Sequence, residues 1–329
     1  MLATPGKPSP NNHALFHFAH GRLNRARYHY PSRVGISRRT LMISSGVLGA
    51  AAGLGGWALL AQARLAPGRG LIDNALGRCE IVAAPAEATP GRLLRSSFYS
   101  ARRRRSVGYV LAYPPKVRAG AKLPVCLVLH GPGGSERDAF DELGYHRILA
   151  ASVAAKVPAF VLASIAGGDG YWHPREGDDP FAMLTDDFPV VLTQHGLPVN
   201  RFGVIGWSMG GFGALLAAAE KPDLFVTAAA SSPAFWSSYD DAREASPTAF
   251  GSADEWSRWG DLLARADRLR GRIRVDCGES DTFAPTVAAL SERVPGAVAM
   301  AKGCHDVAFW RSVAPAQLKF VGTALNRRA

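Results

Sequence analysis

The stretch that most constrains this chain is Val204-Ile205-Gly206-Trp207-Ser208-Met209-Gly210-Gly211-Phe212-Gly213. One serine sits directly behind an apolar run, with glycines two residues before and two residues after it. A serine hydroxyl is a poor nucleophile until a base removes its proton. Presenting it to a substrate also takes a sharp strand-to-helix turn, which crowds the backbone and leaves Gly206 and Gly210 room for no side chain. Residues 202–205 supply the strand and residues 211–220 read as helix, so the spacing predicts a nucleophile elbow at Ser208. The first amides of that helix have no intrahelical acceptor, and the Met209 amide is expected to donate to an oxyanion.

The rest of the chain supplies a frame for such an elbow. Continuous apolar runs at 123–129, 160–165, 202–205, 226–230 and 273–275 are of buried-strand type. Helical patterns lie at 145–155, 179–194, 211–220 and 286–293, and 306–325 closes the chain. The alternation predicts an α/β fold, with a mainly parallel central sheet covered by helices on both faces. Upstream, 97–100 and 107–113 alternate as strands. The four arginines 102–105 between them are expected at a solvated hairpin tip. Residues 64–95 read as a Pro/Gly-rich lead-in and 96–329 as the folded domain. About forty residues separate the last two strands, too many for a simple crossover. This segment, 233–271, contains Phe235, Trp236, Trp256 and Trp259. It is expected either to cap a site at the strand ends or to decorate the periphery.

Partners for the serine follow from chain order, nucleophile then acid then histidine. His305 is the one histidine after Ser208, in the turn Lys302-Gly303-Cys304-His305-Asp306. The acid is Asp276, Glu279 or Asp281, at the end of the last strand. Position in the loop favours Asp281, with Glu279 second. A further oxyanion donor is expected from the loop His130-Gly131-Pro132-Gly133-Gly134-Ser135, whose glycines let an amide approach a substrate. Tyr171, Trp172, Trp207, Phe235 and Trp236 are candidates to wall an acyl pocket, against the alternative that they are simply packed. No cysteine or histidine spacing suggests a metal site, and no cofactor is expected.

The net charge of +11 arises largely at the N-terminus. Residues 1–63 carry seven Lys/Arg and no acid, leaving 31 basic against 27 acidic residues in the body. That mild excess does not suggest a nucleic-acid partner. Ser37-Arg38-Arg39-Thr40-Leu41-Met42 has the form of a twin-arginine export motif. An uncharged run from 41 to 63 follows and ends in Ala61-Gln62-Ala63, a small-x-small cleavage pattern. Residues 1–63 are therefore expected to engage a twin-arginine translocase and a signal peptidase. The body would then lie outside the cytoplasm, in the periplasm, envelope or medium, or anchored if the run stays uncleaved. Export permits a disulfide among Cys79, Cys126, Cys277 and Cys304. A Cys277–Cys304 bridge is the pairing to consider, with Cys126 a core residue.

Several of these segments together resemble one family. LVLHGPGG, GWSMGGFGALLAA, CGESDTF and GCHDVAFWRSVAPAQLKF are similar to the esterase D-like branch of the α/β-hydrolases. That branch includes S-formylglutathione hydrolases, feruloyl-esterase-like enzymes and mycolyltransferases. The likeness runs from about residue 97 to the C-terminus. It implies an α/β-hydrolase fold and places the acid in Gly278-Glu279-Ser280-Asp281-Thr282-Phe283, which strengthens Asp281. It also places the base in Gly303-Cys304-His305, ahead of an aromatic helix. One departure is chemical. In many relatives the residue after His-Gly donates its amide to the oxyanion, whereas here it is Pro132, which has no N–H. Gly131 or Gly133 must substitute, or the second donor is weak. The expected function is an exported serine ester hydrolase acting on a carboxylic ester. The alternatives are an envelope acyltransferase with a sugar alcohol as acceptor and a non-catalytic carbohydrate-binding protein on the same scaffold.

Overall fold

The computed structural model describes residues 72–73, 75–80, 83–118 and 121–327. The twin-arginine motif, the uncharged run and the cleavage pattern lie outside the described residues.

The apolar runs become the strands of a single sheet. They are β1 (Leu93–Ser100), β2 (Arg105–Ala112), β3 (Val125–Leu129), β4 (Val161–Ile165), β5 (Phe202–Trp207), β6 (Phe225–Ser231), β7 (Ile273–Gly278) and β8 (Val298–Ala301). Their spatial order is β1-β2-β4-β3-β5-β6-β7-β8. β2 is antiparallel to both of its neighbours, and every other adjacent pair is parallel. The expected α/β-hydrolase architecture is the one observed.

Strands β3, β4 and β5 are buried at every position, because helices cover both faces. Val125, Leu127 and Leu129 of β3 point to the face of the sheet whose core layer also takes in α2 (Phe188–Gln194), α3 (Met209–Glu220) and α4 (Ala284–Arg293). Cys126 and Val128 point to the opposite face, where α1 (Tyr145–Ala154) and α5 (Val307–Leu325) pack. Each fully buried Leu, Ile or Phe in these layers contributes about 1.5–3 kcal/mol over its exposed state. The parallel register brings the C-terminal ends of β3, β5, β6 and β7 to one rim of the sheet.

Several boundaries differ from the sequence reading. β1 begins at Leu93, so the domain takes in residues assigned to the lead-in. β8 is a short, half-exposed edge strand whose VAMA sequence has no strong pattern. The helical run from 180 to 194 contains a π segment, Met183–Asp187, closed by a bond from the Phe188 amide to the Met183 carbonyl. Pro189, which has no N–H to give, follows at once. Segment 233–271 holds short helices at Tyr239–Ala245, Ala253–Glu255 and Ala266–Leu269. The first two are capped by Ser238 and Ser252, which accept the amides of Asp241 and Glu255.

Two charge and cysteine expectations are corrected. The arginine run is not uniformly solvated: Arg103 is buried and grips Asp178 with two bonds of 2.7 and 2.9 Å. It also donates to the Ala166 carbonyl at 2.8 Å. A buried guanidinium needs such a full set of acceptors, and the loop after β4 provides them. The bridge at Cys304 is to Cys79, not Cys277. Cys277 lies buried on β7 with its thiol toward the Gly278 carbonyl. Cys126 is buried on β3, and desolvation raises its thiol pKa. Glu87, in the lead-in, is held to the domain as well, by pairing with Arg147 at 2.8 Å and Arg311 at 2.6 Å.

The Cys79–Cys304 bridge closes a loop of 225 residues that encloses nearly the whole domain. Cys79→Ser is expected to lower the free energy of unfolding by roughly 3–5 kcal/mol, by relaxing the unfolded chain. Urea titration of oxidised protein beside the variant measures this, and reductant should bring the wild type to the value of the variant.

Candidate active site

The elbow forms because two backbones meet at van der Waals distance. A Cβ at Gly206 would collide with the Gly210 carbonyl, and one at Gly210 with the Leu129 carbonyl. Ser208 itself sits at φ 54°, ψ −123°, a conformation that costs a non-glycine residue about 1–3 kcal/mol. Its peptide groups are fixed on both sides. The Ser208 amide donates to the Ser231 carbonyl at 3.0 Å, and its own carbonyl accepts from Ala234 at 3.0 Å. The side chain is thereby lifted over the rim, at the first turn of α3.

Three sequence-predicted residues converge there. His305 Nε2 lies 2.9 Å from Ser208 Oγ. His305 Nδ1 lies 2.9 and 3.1 Å from the two carboxylate oxygens of Asp281. A carboxylate on Nδ1 requires the proton at Nδ1, so in the neutral ring Nε2 is an acceptor facing the serine hydroxyl. Burial alone would raise the pKa of Asp281. The charge and hydrogen bond of His305, with the Phe283 amide at 2.8 Å, more than offset it and hold the carboxyl below its ordinary value. Asp276 points elsewhere. It is buried beneath the sheet, where Arg274 holds it at 2.6 and 2.9 Å and the Gln317 amide donates to it at 2.8 Å.

The glycine loop is arranged by residues the sequence reading did not single out. His130 Nε2 accepts the Gly167 amide at 2.8 Å, so its proton is at Nδ1, which donates to the Gly131 carbonyl at 2.7 Å. Burial lowers its pKa, which keeps the ring neutral. Gly133 cannot serve as an oxyanion donor in this arrangement, because its amide donates to the Asp169 carboxylate at 2.6 Å. Gly131 stands over the nucleophile: a Cβ there would lie 3.5 Å from Ser208 Cβ. An acceptor for the Gly133 amide was legible only as an aspartate in the loop after β4.

The aromatic candidates divide. Trp172 and Phe235 are fully buried and present no surface to a ligand. Trp172 packs on His130 and donates its indole N–H to the His130 carbonyl at 3.2 Å. Trp207 turns to the α5 face, against Tyr145 and Trp310. Tyr171 and Trp236 form a ring cluster with Phe250 of segment 233–271. Trp236 also touches Phe283, which lies 5.3 Å from the His305 ring. Trp310 flanks that ring edge-on at 5.2 Å. Phe283 and Trp310 stand in the segments that carry the acid and the histidine, whereas Phe250 was not anticipated as a neighbour of the site. Among the described residues no group of three or more His, Cys, Asp or Glu is placed to hold a metal ion.

A strained serine between strand and helix, bonded to a histidine that is bonded to a buried carboxylate, defines the serine-hydrolase class of α/β proteins. The sequence model of the Esterase family matches residues 100–302, and the chain belongs to that family. It is a serine carboxylic ester hydrolase. A search of curated proteins returns no match. Solved structures of the same fold include a ferulic acid esterase, 18% identical with a TM-score of 0.60, covering 71% of this chain and 98% of that one. An S-formylglutathione hydrolase from Agrobacterium tumefaciens is 19% identical with a TM-score of 0.61, covering 75% of this chain and 99% of that one. The fluorophosphonate-binding serine hydrolase F of Staphylococcus aureus is 18% identical with a TM-score of 0.56, covering 71% and 99%.

Because the pKa of Asp281 is depressed in the fold, its ionised form stabilises the native state. That contribution is complete above the unfolded value of about 3.9 and is lost as pH falls through the lower folded value. Asp281→Asn should therefore be less stable than wild type above about pH 4, and the gap should narrow at lower pH. Urea unfolding of both proteins across an acid pH series measures it.

Proposed function

We propose that this protein is an exported serine esterase in which Ser208, His305 and Asp281 form the catalytic triad. The observation that carries the reading is the unbroken hydrogen-bonded chain from Ser208 Oγ through His305 to Asp281. Ser208 Oγ attacks the acyl carbon while its proton passes to His305 Nε2. Asp281 holds the ring tautomer and stabilises the imidazolium that forms. The tetrahedral oxyanion is held by the amides of Met209 and Gly131, each such donor being worth about 10²–10³ in rate. Collapse breaks the bond to the alcohol oxygen, which takes the proton from His305. Water, deprotonated by the same ring, then releases the acid and restores Ser208.

Tyr171 and Trp236 support an apolar acyl side to the site, as their ring cluster reaches His305 through Phe283. Export is supported by the twin-arginine motif and by the Cys79–Cys304 bridge. Disulfides persist in oxidising compartments, and Cys79 lies beyond the expected cleavage site.

A fluorophosphonate probe is expected to label the wild type at one residue, found by peptide mass analysis to be Ser208. Ser208→Ala should lose both labelling and hydrolysis of p-nitrophenyl esters, by a factor on the order of 10⁵ or more in kcat. Equal labelling of wild type and Ser208→Ala would overturn the assignment. The export reading is checked separately, by whether replacing Arg38 and Arg39 with lysine retains the protein inside the cell.

A further inference from the structure

The sheet has a second built feature at its other rim. β5 carries Ser208 at its C-terminal end and Arg201 at its N-terminal end, six strand residues away. Over seven residue steps of about 3.3 Å each, that is a separation of roughly 23 Å. Beside Arg201 opens a cavity of about 620 Å³, set between the starts of β6 and β7 and the second half of α5. Pockets of this size hold small organic ligands.

Among the described residues its walls carry five cations, Arg201, Arg272, Arg274, Lys319 and Arg327, and no carboxylate. Arg274 is already neutralised by Asp276. Among the described residues the other four make no ion pair. Arg272 donates to the Pro222 carbonyl at 3.1 Å, and Arg201 reaches the Arg327 carbonyl at 3.5 Å. These bonds use part of each guanidinium's donor set and leave its charge uncompensated. Thr227 on β6 also lines the cavity, and its buried hydroxyl has no hydrogen-bond partner among the described residues. Like charges converging on one concavity repel, and an anion within it turns that repulsion into attraction. Forked guanidinium groups match the oxygens of a phosphoryl group in particular.

We propose that this cavity binds an anionic phosphoryl group, at a site separate from the one that cleaves esters. Isothermal titration calorimetry of the full chain with inorganic pyrophosphate tests it, at about 0.15 M ionic strength with sodium chloride as control. Saturable binding is expected, weakened at least about tenfold in Arg201→Gln/Arg272→Gln. The independent pair Lys319→Gln/Arg327→Gln should weaken it likewise. Hydrolysis of p-nitrophenyl acetate should be unchanged in both double variants. Sedimentation with phosphatidylglycerol-containing vesicles, competed by pyrophosphate and lost in the same variants, would identify a lipid headgroup as the source. Pyrophosphate binding without sedimentation would identify a soluble phosphoryl compound. A pyrophosphate heat no larger than that of chloride, or wild-type affinity in both double variants, overturns the proposal.

Discussion

A strand can hand over to a helix within a single residue only if their backbones touch, and that contact sets the rest of the site. Gly206 and Gly210 let the start of α3 lie against the end of β5 and the carbonyl of Leu129. The bend falls on Ser208, which holds a left-handed conformation that an unsupported serine would leave. It stays there because β6 accepts its amide through Ser231 and the chain after β6 donates back through Ala234. From this one turn follow the height of the hydroxyl above the rim, the direction of the first helical amides and the distance to β3. The strain is local and small beside the apolar burial of the two core layers, so the fold can sustain it.

Two aspartates five residues apart show how position on the sheet decides chemistry. Asp276 still belongs to β7 and points under it, where Arg274 and Gln317 satisfy its oxygens. Gln317 in turn accepts from the Ser231 hydroxyl at 3.1 Å. This buried polar chain joins the middle of β7 to the end of β6, whose Ser231 carbonyl holds the Ser208 amide. Asp281 lies past the turn that follows β7, and its oxygens meet the His305 ring and the Phe283 amide. Burial opposes both charges. At Asp281 the histidine and the amide outweigh it, while at Asp276 burial prevails and the pKa rises despite Arg274. The Asp276 carboxylate thus serves the packing of α5, and the Asp281 carboxylate faces His305.

Much of this was legible from the chain because its signals are local. Buried parallel strands read as continuous apolar runs, and the elbow places glycines at fixed offsets from its serine. Order along the chain was enough to select His305. The parts that were missed depend on distant contacts. Nothing near Cys304 points to Cys79, because the pairing is made by the docking of a lead-in far away in sequence. β8 has too weak a pattern to stand out, and it is a strand because β7 offers it an edge. Trp172 and Phe235 look like pocket residues in a loop and an insertion, yet the fold closes over both. Arg103 read as solvated because its acceptors, Asp178 and the Ala166 carbonyl, lie in loops beyond β4.

Pro132 shows how a local departure is contained by its surroundings. Proline removes one amide from the loop that would face the oxyanion. Of the two flanking glycines, Gly133 has its amide bound to Asp169, which leaves Gly131 as the flanking glycine for the proposed pairing with Met209. His130 then becomes the residue on which that pair depends. Its neutral ring takes the Gly167 amide on one side and donates to the Gly131 carbonyl on the other, which fixes the plane of the peptide. Trp172, stacked edge-on against the ring, excludes the water that would favour its protonation. A charged His130 would lose the Gly167 bond, since both ring nitrogens would then be donors. The buried histidine thus keeps the glycine loop in the shape that the proposed reaction needs, without touching the substrate.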